Sequence, residues 1–401
     1  MMRGFNIVIL LLLFNKFCYV ICNIYNVVSP PSPCFKAYVD AGASAVFGST
    51  NCNKWILGSE ILRNKMENCN FATIQGHRDY QEDRVVCDLD MKLGFLLGEE
   101  VTLSIAAIFD GHGGSEVSEL ASMKFLDYFQ VNALFNAYQH GLYLDQESEE
   151  ADRHNSTLQR SLVKVDDKSL HDILEEALRR TFKDIDSEFS VESANKKSVA
   201  GSTGIVIILL NDELLIGHLG DSRALLCRKG SQSHHQGLPL ELYAEQLTVD
   251  HHPDRAEEKA RIERAGGFVR VWGVPRVNGI LAISRALGDV FLKKYGVIAE
   301  PEIIGWRTLT AQERHLVIAS DGIFESTTPQ HVCDLMASAD IQGKMASKTM
   351  YSCSSSSSLP DCIVNAAFRR GSTDNLSAIV ILLRLDSLSQ QDVENFDKSE
   401  L

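Results

Sequence analysis

Several carboxylates in this chain stand where an apolar run breaks off or begins. Leu103-Ser-Ile-Ala-Ala-Ile-Phe109 ends in Asp110-Gly-His-Gly-Gly114, and His315-Leu-Val-Ile-Ala-Ser320 ends in Asp321-Gly322. Leu214-Leu-Ile-Gly-His-Leu219 runs into Gly220-Asp221-Ser-Arg223, and Asp374-Asn375 immediately precedes the apolar run Leu376 to Leu383. Short runs rich in Ile, Val and Ala read as buried strands. Each acidic residue then lies at a strand edge, where a side chain faces a cleft. A single Asp-Gly pair is ordinary turn chemistry. Recurrence at sites far apart in sequence is what a hard cation requires, because Mg2+ and Mn2+ bind through a few carboxylate oxygens. A further group, Arg78 with Glu82 and Asp83, places a cation beside two carboxylates. In isolation it would read as a solvated charge cluster.

The elements that must position these residues are partly legible. Phe71 to Ile74 reads as a strand, and Ile205 to Leu210 pairs with Leu214 to Leu219 through an Asn211-Asp212 turn. Ala224 to Cys227 continues the sheet. Apolar spacing predicts amphipathic helices over Glu116 to Phe129 and Leu170 to Phe189. Asp254 and Glu257 have the spacing of a capping box, with Gly266-Gly267 as the stop about three turns later. A short helix is predicted over Asp361 to Arg369. Residues 139–170 are polar and read as an irregular surface insertion, and Ser354 to Ser358 as a low-complexity loop. His234-His235 lies in a polar loop and reads as solvated.

The chain has 401 residues, with 45% hydrophobic and 23% charged side chains, the balance of a soluble globular protein. Its net charge of −14 and its lack of a basic stripe speak against a polyanionic partner, so no nucleic acid is expected. Ten cysteines include no Cys-x-x-Cys pair, which removes a zinc knuckle or thioredoxin-like motif. Arg3, Ile7 to Phe14 and Phe17 to Cys22 read as a signal peptide or membrane anchor over residues 1–22. The expectation is membrane association through residues 5–22 or secretory entry, with a cytoplasmic location as the alternative. Residues 23–70, with Ser-Pro-Pro-Ser-Pro-Cys34, read as a linker or N-terminal extension. Residues 386–401 form a polar tail.

Taken in order, Arg78-x-x-x-Glu82-Asp83, Asp110-Gly-His-Gly-Gly, Gly220-Asp-Ser-Arg-Ala, Ser284-Arg-Ala-Leu-Gly-Asp, Ala319-Ser-Asp-Gly and Asp374-Asn375 resemble the signature series of the metal-dependent type 2C protein serine/threonine phosphatases. The resemblance covers residues 71–385. It implies one α+β catalytic domain, a sandwich of two mixed, mostly antiparallel sheets flanked by helices. It further implies hydrolysis of phosphoserine and phosphothreonine in phosphoprotein substrates, by a metal-bridging hydroxide and without a covalent intermediate. Two Mg2+ or Mn2+ ions would be held by Asp110, Asp321 and Asp374 with Glu82 and the Gly111 carbonyl. A weaker third would sit at Asp221 with Glu325, where other members carry Asp. Arg78 would bind the phosphate and His112 would protonate the leaving oxygen. The chain is expected to act as a monomer. Rival readings are an inactive relative serving as a scaffold, which the retained carboxylates oppose, and a metallophosphoesterase acting on nucleic acid or small phosphate esters.

Overall fold

The run Gly204–Leu210 is buried at every position, which a half-solvated strand would not be. The reason is that its sheet is covered on both faces. A computed structural model of the chain describes residues 32–52, 69–94, 100–151, 167–196, 198–230, 241–342 and 358–383. These fall into two compact units, the larger taking the described residues of Asn64–Met91, Thr102–Phe129 and Glu175–Leu401.

One sheet orders the strands Glu302–Thr308, Glu213–Leu219, Gly204–Leu210, Glu100–Phe109 and Arg84–Gly94. A second orders Phe71–Ile74, Leu376–Leu382, Glu313–Ala319, Arg223–Lys229 and Leu242–Gln246. The registers given for both sheets are antiparallel. Ile108, Ile207 and Ile216 from the first sheet meet Leu226, Ile318 and Ile379 from the second in a single apolar layer. The outer face of the second sheet buries Leu225, Val317 and Val380 against Val332 and Met336 of helix Pro329–Gln342 and Ile363 of helix Leu359–Arg369. Over the first sheet, Phe109 lies 5.8 Å from Phe125, and Phe182 meets Phe125 edge to face at 5.9 Å. The expected two-sheet sandwich with outer helices is therefore the observed fold. A small third sheet joins Gly111–His112, Gly201–Ser202 and Leu287–Gly288.

The smaller unit takes the described residues of Met1–Arg63, Lys92–Val101 and Gln130–Leu174. Its helix Ser32–Gly48, kinked at Ala41 and Gly42, corrects the linker reading of that stretch. Phe35 and Tyr38 explain why it folds. Tyr38 stacks on Phe135 at 4.3 Å and donates to Asn136 Oδ1 at 3.2 Å, contacts that the Pro-rich composition conceals. A Cys34–Cys52 disulfide closes the segment. Cys69–Cys87 and Cys227–Cys333 are also paired, the latter fastening strand Arg223–Lys229 to helix Pro329–Gln342.

Three further expectations change. The helix beginning at Glu116 continues to Ala151, so the polar segment read as irregular is helical to that point; residues 152–166 lie outside the described residues. The Asp254–Glu257 capping box does not form, because the helix is Ala256–Arg264 with Arg255 at its N-cap and no side-chain cap bond. The membrane reading is also overturned. Among the described residues no helix is long and apolar enough to cross a membrane. Residues 5–22 lie outside those described, and their apolar pieces Ile7 to Phe14 and Phe17 to Cys22 each fall far short of the ~20 residues a span needs. Ser354–Ser357, the loop reading's core, also lie outside the described residues.

Candidate metal centre

Asp110 follows a strand whose last residue, Phe109, is fully buried. Its backbone is clamped by the neighbouring strands. Thr203 N–H and Ser202 Oγ donate to the Asp110 carbonyl at 2.9 and 3.1 Å, and Asp110 N–H donates to Thr203 Oγ1 at 3.2 Å. Gly111 has no room for a side chain, since a Cβ there would lie 2.6 Å from the Glu82 carbonyl and 2.8 Å from Ser118 Oγ. That close approach brings Glu82 against Gly111, and Ser118 Oγ donates to the Glu82 carbonyl at 2.5 Å.

The other carboxylates arrive from the second sheet. Asp321 opens the short helix Asp321–Phe324 at the end of strand Glu313–Ala319. Gly322 packs on Asp374 and Asn375, where an added Cβ would overlap the Asn375 carbonyl. Asn375 then ties this corner to the Arg78–Glu82 loop. Its Oδ1 accepts from Glu82 N–H at 2.7 Å, and its Nδ2 donates to the carbonyls of Gln75 at 2.8 Å and Tyr80 at 3.0 Å. Glu82, Asp110, Gly111, Asp321 and Asp374 are thus brought together where strands of the two sheets end.

Its electrostatics are those of a cation site. Asp110 is raised well above the usual carboxylate range by burial and by the charges of Asp83, Asp321, Asp221 and Asp374. Burial and the same neighbours push Asp321 from 3.8 to about 8. Asp221 is raised by burial and by Asp250. Asp83, which stands in the Arg78-x-x-x-Glu82-Asp83 motif but outside the expected ligand set, is 3% exposed. Ser320 and Ser377 hydroxyls donate to its Oδ2 at 3.0 and 2.7 Å, while its buried Oδ1 has no hydrogen-bond partner. Burial pushes it from 3.8 to about 6. Carboxylates crowded in this way stay ionised together only when positive charge lies among them. An all-oxygen donor set with an orphaned buried oxygen fits Mg2+ or Mn2+.

Two predicted residues are engaged differently from expectation. Arg78 Nη2 donates to Asp374 Oδ2 at 2.6 Å while the arginine side chain stays 55% exposed. Glu325 is exposed, and its Oε2 accepts from Ser372 Oγ at 3.1 Å and Thr373 N–H at 3.2 Å. These bonds support the loop before Asp374 and give no pairing with Asp221. His112 lies beside Gly111 with Nε2 at 2.7 Å from Asp289 Oδ2. Burial lowers its pKa, but the Asp289 bond and charge outweigh that and leave it raised.

A separate group of His218, His251 and Glu302 has donor atoms within 4.8 Å of one another. Its hydrogen bonds disfavour a cation. Gly220 N–H donates to His251 Nδ1 at 3.2 Å, which leaves Nε2 carrying the proton toward Glu302 at 3.0 Å. Glu302 also pairs with Arg255 at 2.9 Å. Burial lowers His218 and His251 to about 3, so both rings are neutral. His218 stacks on His251 at 4.5 Å with neither of its ring nitrogens hydrogen-bonded, so the bonded part of the group is the His251–Glu302–Arg255 chain.

A profile of the family Protein phosphatase 2C matches residues 67–376. The chain is 37% identical over 445 residues to "Probable protein phosphatase 2C 51" of Arabidopsis thaliana, covering 95% of this chain and 83% of that protein. It is 32% identical to "Putative protein phosphatase 2C 76" of Oryza sativa subsp. japonica, over 89% of this chain and 87% of that protein. In fold it is similar to a serine-threonine phosphatase 2C from Toxoplasma gondii, with a TM-score of 0.57 and 23% identity over 78% of this chain and 94% of that one. The chain therefore belongs to the protein phosphatase 2C family and is a serine/threonine protein phosphatase, a hydrolase acting on phosphoproteins.

Proposed function

We propose that this phosphatase works through a divalent-metal centre held by Asp110, Glu82, Asp321, Asp374 and the Gly111 carbonyl. The observation that carries the proposal is Asp110, half-buried and crowded by the charges of Asp83, Asp321, Asp221 and Asp374. When bound, two Mg2+ or Mn2+ ions supply the charge that activates a water near neutral pH and neutralises phosphoryl oxygens. Asp83, with Oδ2 held by two serines, keeps a buried Oδ1 without a protein donor and so adds an acceptor to this acidic group. A third ion at Asp221 has weaker support, because Glu325 is committed to Ser372 and Thr373.

The remaining work belongs to the chain's own side chains. Arg78 offers a planar fork of donors to the phosphoryl oxygens, and its exposure leaves it free to turn from Asp374 toward them. His112 gives a proton to the seryl or threonyl oxygen as the phosphorus–oxygen bond breaks, since an alkoxide is a poor leaving group. No side-chain nucleophile is needed. The test is a titration of the full chain with Mn2+ or Mg2+, using a phosphoserine peptide and p-nitrophenyl phosphate. Activity is expected to vanish on chelation and return with either ion. His112→Ala is expected to cost the peptide about 10²-fold and the aryl ester clearly less. Full activity after chelation and dialysis would remove the metal reading, and equal losses on both esters would remove His112 as the proton donor.

A further inference from the structure

His112 is positioned by a residue that lies 177 places away in sequence. Its Nε2 is 2.7 Å from Asp289 Oδ2, and the Asp289 side chain is only 3% exposed. Asp289 occupies the N-cap position of the short helix Val290–Lys293, but its side chain makes no cap bond. The carboxylate is therefore not explained by the helix it precedes. Its backbone is left-handed, at φ 46° and ψ 40°, a conformation that non-glycine residues adopt at a cost. Asp289 N–H donates to the Ala200 carbonyl at 3.0 Å, and Gly288 N–H to Asp186 Oδ1 at 2.8 Å.

The small third sheet is what brings the pair together. His112 faces Gly201 in the register, and Gly201 faces Gly288 on its other side. A Cβ on Gly201 would overlap both Asp289 Oδ2 and His112 Nε2. The bond thus crosses directly over a residue whose missing side chain makes the space for it. We infer that Asp289 is the positioning residue for His112: its carboxylate accepts from Nε2–H and so leaves Nδ1 as the ring nitrogen that serves the substrate. This rests on the reading of His112 as the proton donor.

In the step, the proton leaves Nδ1 for the departing seryl oxygen as the phosphorus–oxygen bond breaks. Nε2–H stays bonded to Asp289, and the ring regains its lost proton from water. A buried carboxylate that fixes a histidine tautomer in this way acts through orientation.

The test compares wild type with Asp289→Asn, a substitution of the same shape that tolerates the left-handed backbone but lets an amide N–H face Nε2. Rates on the phosphoserine peptide and p-nitrophenyl phosphate are read at saturating Mn2+, and the His112 tautomer by 15N-histidine NMR of the Mg2+-loaded protein. Peptide kcat is expected to fall about 10²-fold, with peptide KM and the aryl-ester rate little changed. Read above its titration, where one ring proton remains, the wild-type ring is expected to keep that proton on Nε2 and the variant to lose that preference. In the His112→Ala background, Asp289→Asn should add no further loss. A wild-type Nδ1–H tautomer, unchanged peptide turnover in Asp289→Asn, or equal losses on both esters would overturn the inference. If His112→Ala itself fails to distinguish the two esters, the donor reading fails, and the wild-type tautomer still decides whether Asp289 fixes the ring.

Discussion

Arg78 and Asp374, 296 residues apart, meet at 2.6 Å, so the proposed phosphate ligand and a proposed metal ligand already hold each other. The pair is half exposed on the arginine side, and such pairs contribute little to stability. Its importance is competition. A guanidinium on Asp374 opposes a dication on the same carboxylate, and a phosphoryl group draws it away.

Replacing Arg78 should therefore separate two effects. Arg78→Lys keeps the charge but loses the planar fork, so KM for the phosphopeptide is expected to rise about tenfold with a smaller change in kcat. Arg78→Ala also frees Asp374, and the half-saturating Mn2+ concentration should fall. Steady-state kinetics across a metal titration reads both. An unchanged peptide KM in both variants would place phosphate binding elsewhere.

Asp321→Asn and Asp374→Asn each remove one negative donor from the corner where Gly322 packs on Asn375. Turnover at moderate Mn2+ should fall by at least about 100-fold, since disturbing even the groups behind a metal ligand costs 10–100-fold. Asp321→Asn should at the same time stabilise the chelated protein, because it relieves repulsion among crowded carboxylates. Near wild-type rates in either variant would identify the wrong ligands.

Chelation should also change how stability depends on pH. Burial raises Asp83 from 3.8 to about 6 and Asp321 from 3.8 to about 8. Between those limits the folded, metal-free chain holds protons that the unfolded chain has released. Its stability from these groups is full below 3.8 and is lost as pH rises through the raised values. In EDTA the melting temperature should decline from about pH 5 to about pH 8, and saturating Mn2+ should flatten the curve by replacing protons as counter-charge. An EDTA profile that is flat or rises over this interval would contradict the carboxylate arrangement.

The junctions of apolar run and Asp were legible because each is local: a strand's hydrophobicity and its terminal acid lie within a few residues. What made Asp83 and Asp289 part of the site was not local. Asp83 is held by Ser320 and Ser377, 237 and 294 residues away, and Asp289 reaches His112 across a three-strand junction built on Gly201. Helix starts failed for a different reason. Glu257 has the spacing of a capping residue but is drawn into an ion pair with Arg255, which itself pairs with Glu302 at 2.9 Å. The capping box that does form, Ser358 with Asp361, was hidden at the end of a serine run that composition alone marks as loop.

The strut that aligns the site, Asn375, offers the last test. It is 4% exposed, and its amide joins Glu82 N–H to the carbonyls of Gln75 and Tyr80. Asn375→Ala removes all three bonds and leaves those backbone groups short of partners, at an expected cost of about 2–3 kcal/mol. Water entering from the exposed side of the loop keeps the cost at the lower end. The larger effect should be on the metal, because Glu82 loses the bond that holds its backbone beside Gly111. Chemical denaturation in EDTA measures the first effect, and the Mn2+ concentration for half-maximal rate measures the second. Asn375→Asp separates them further: it keeps the acceptor for Glu82 N–H, loses the donors to Gln75 and Tyr80, and adds a charge to the crowded corner. It should therefore destabilise the chelated protein more than the alanine variant does, while Mn2+ recovers a larger share of the loss. A metal requirement unchanged in Asn375→Ala would mean that Glu82 needs no such support.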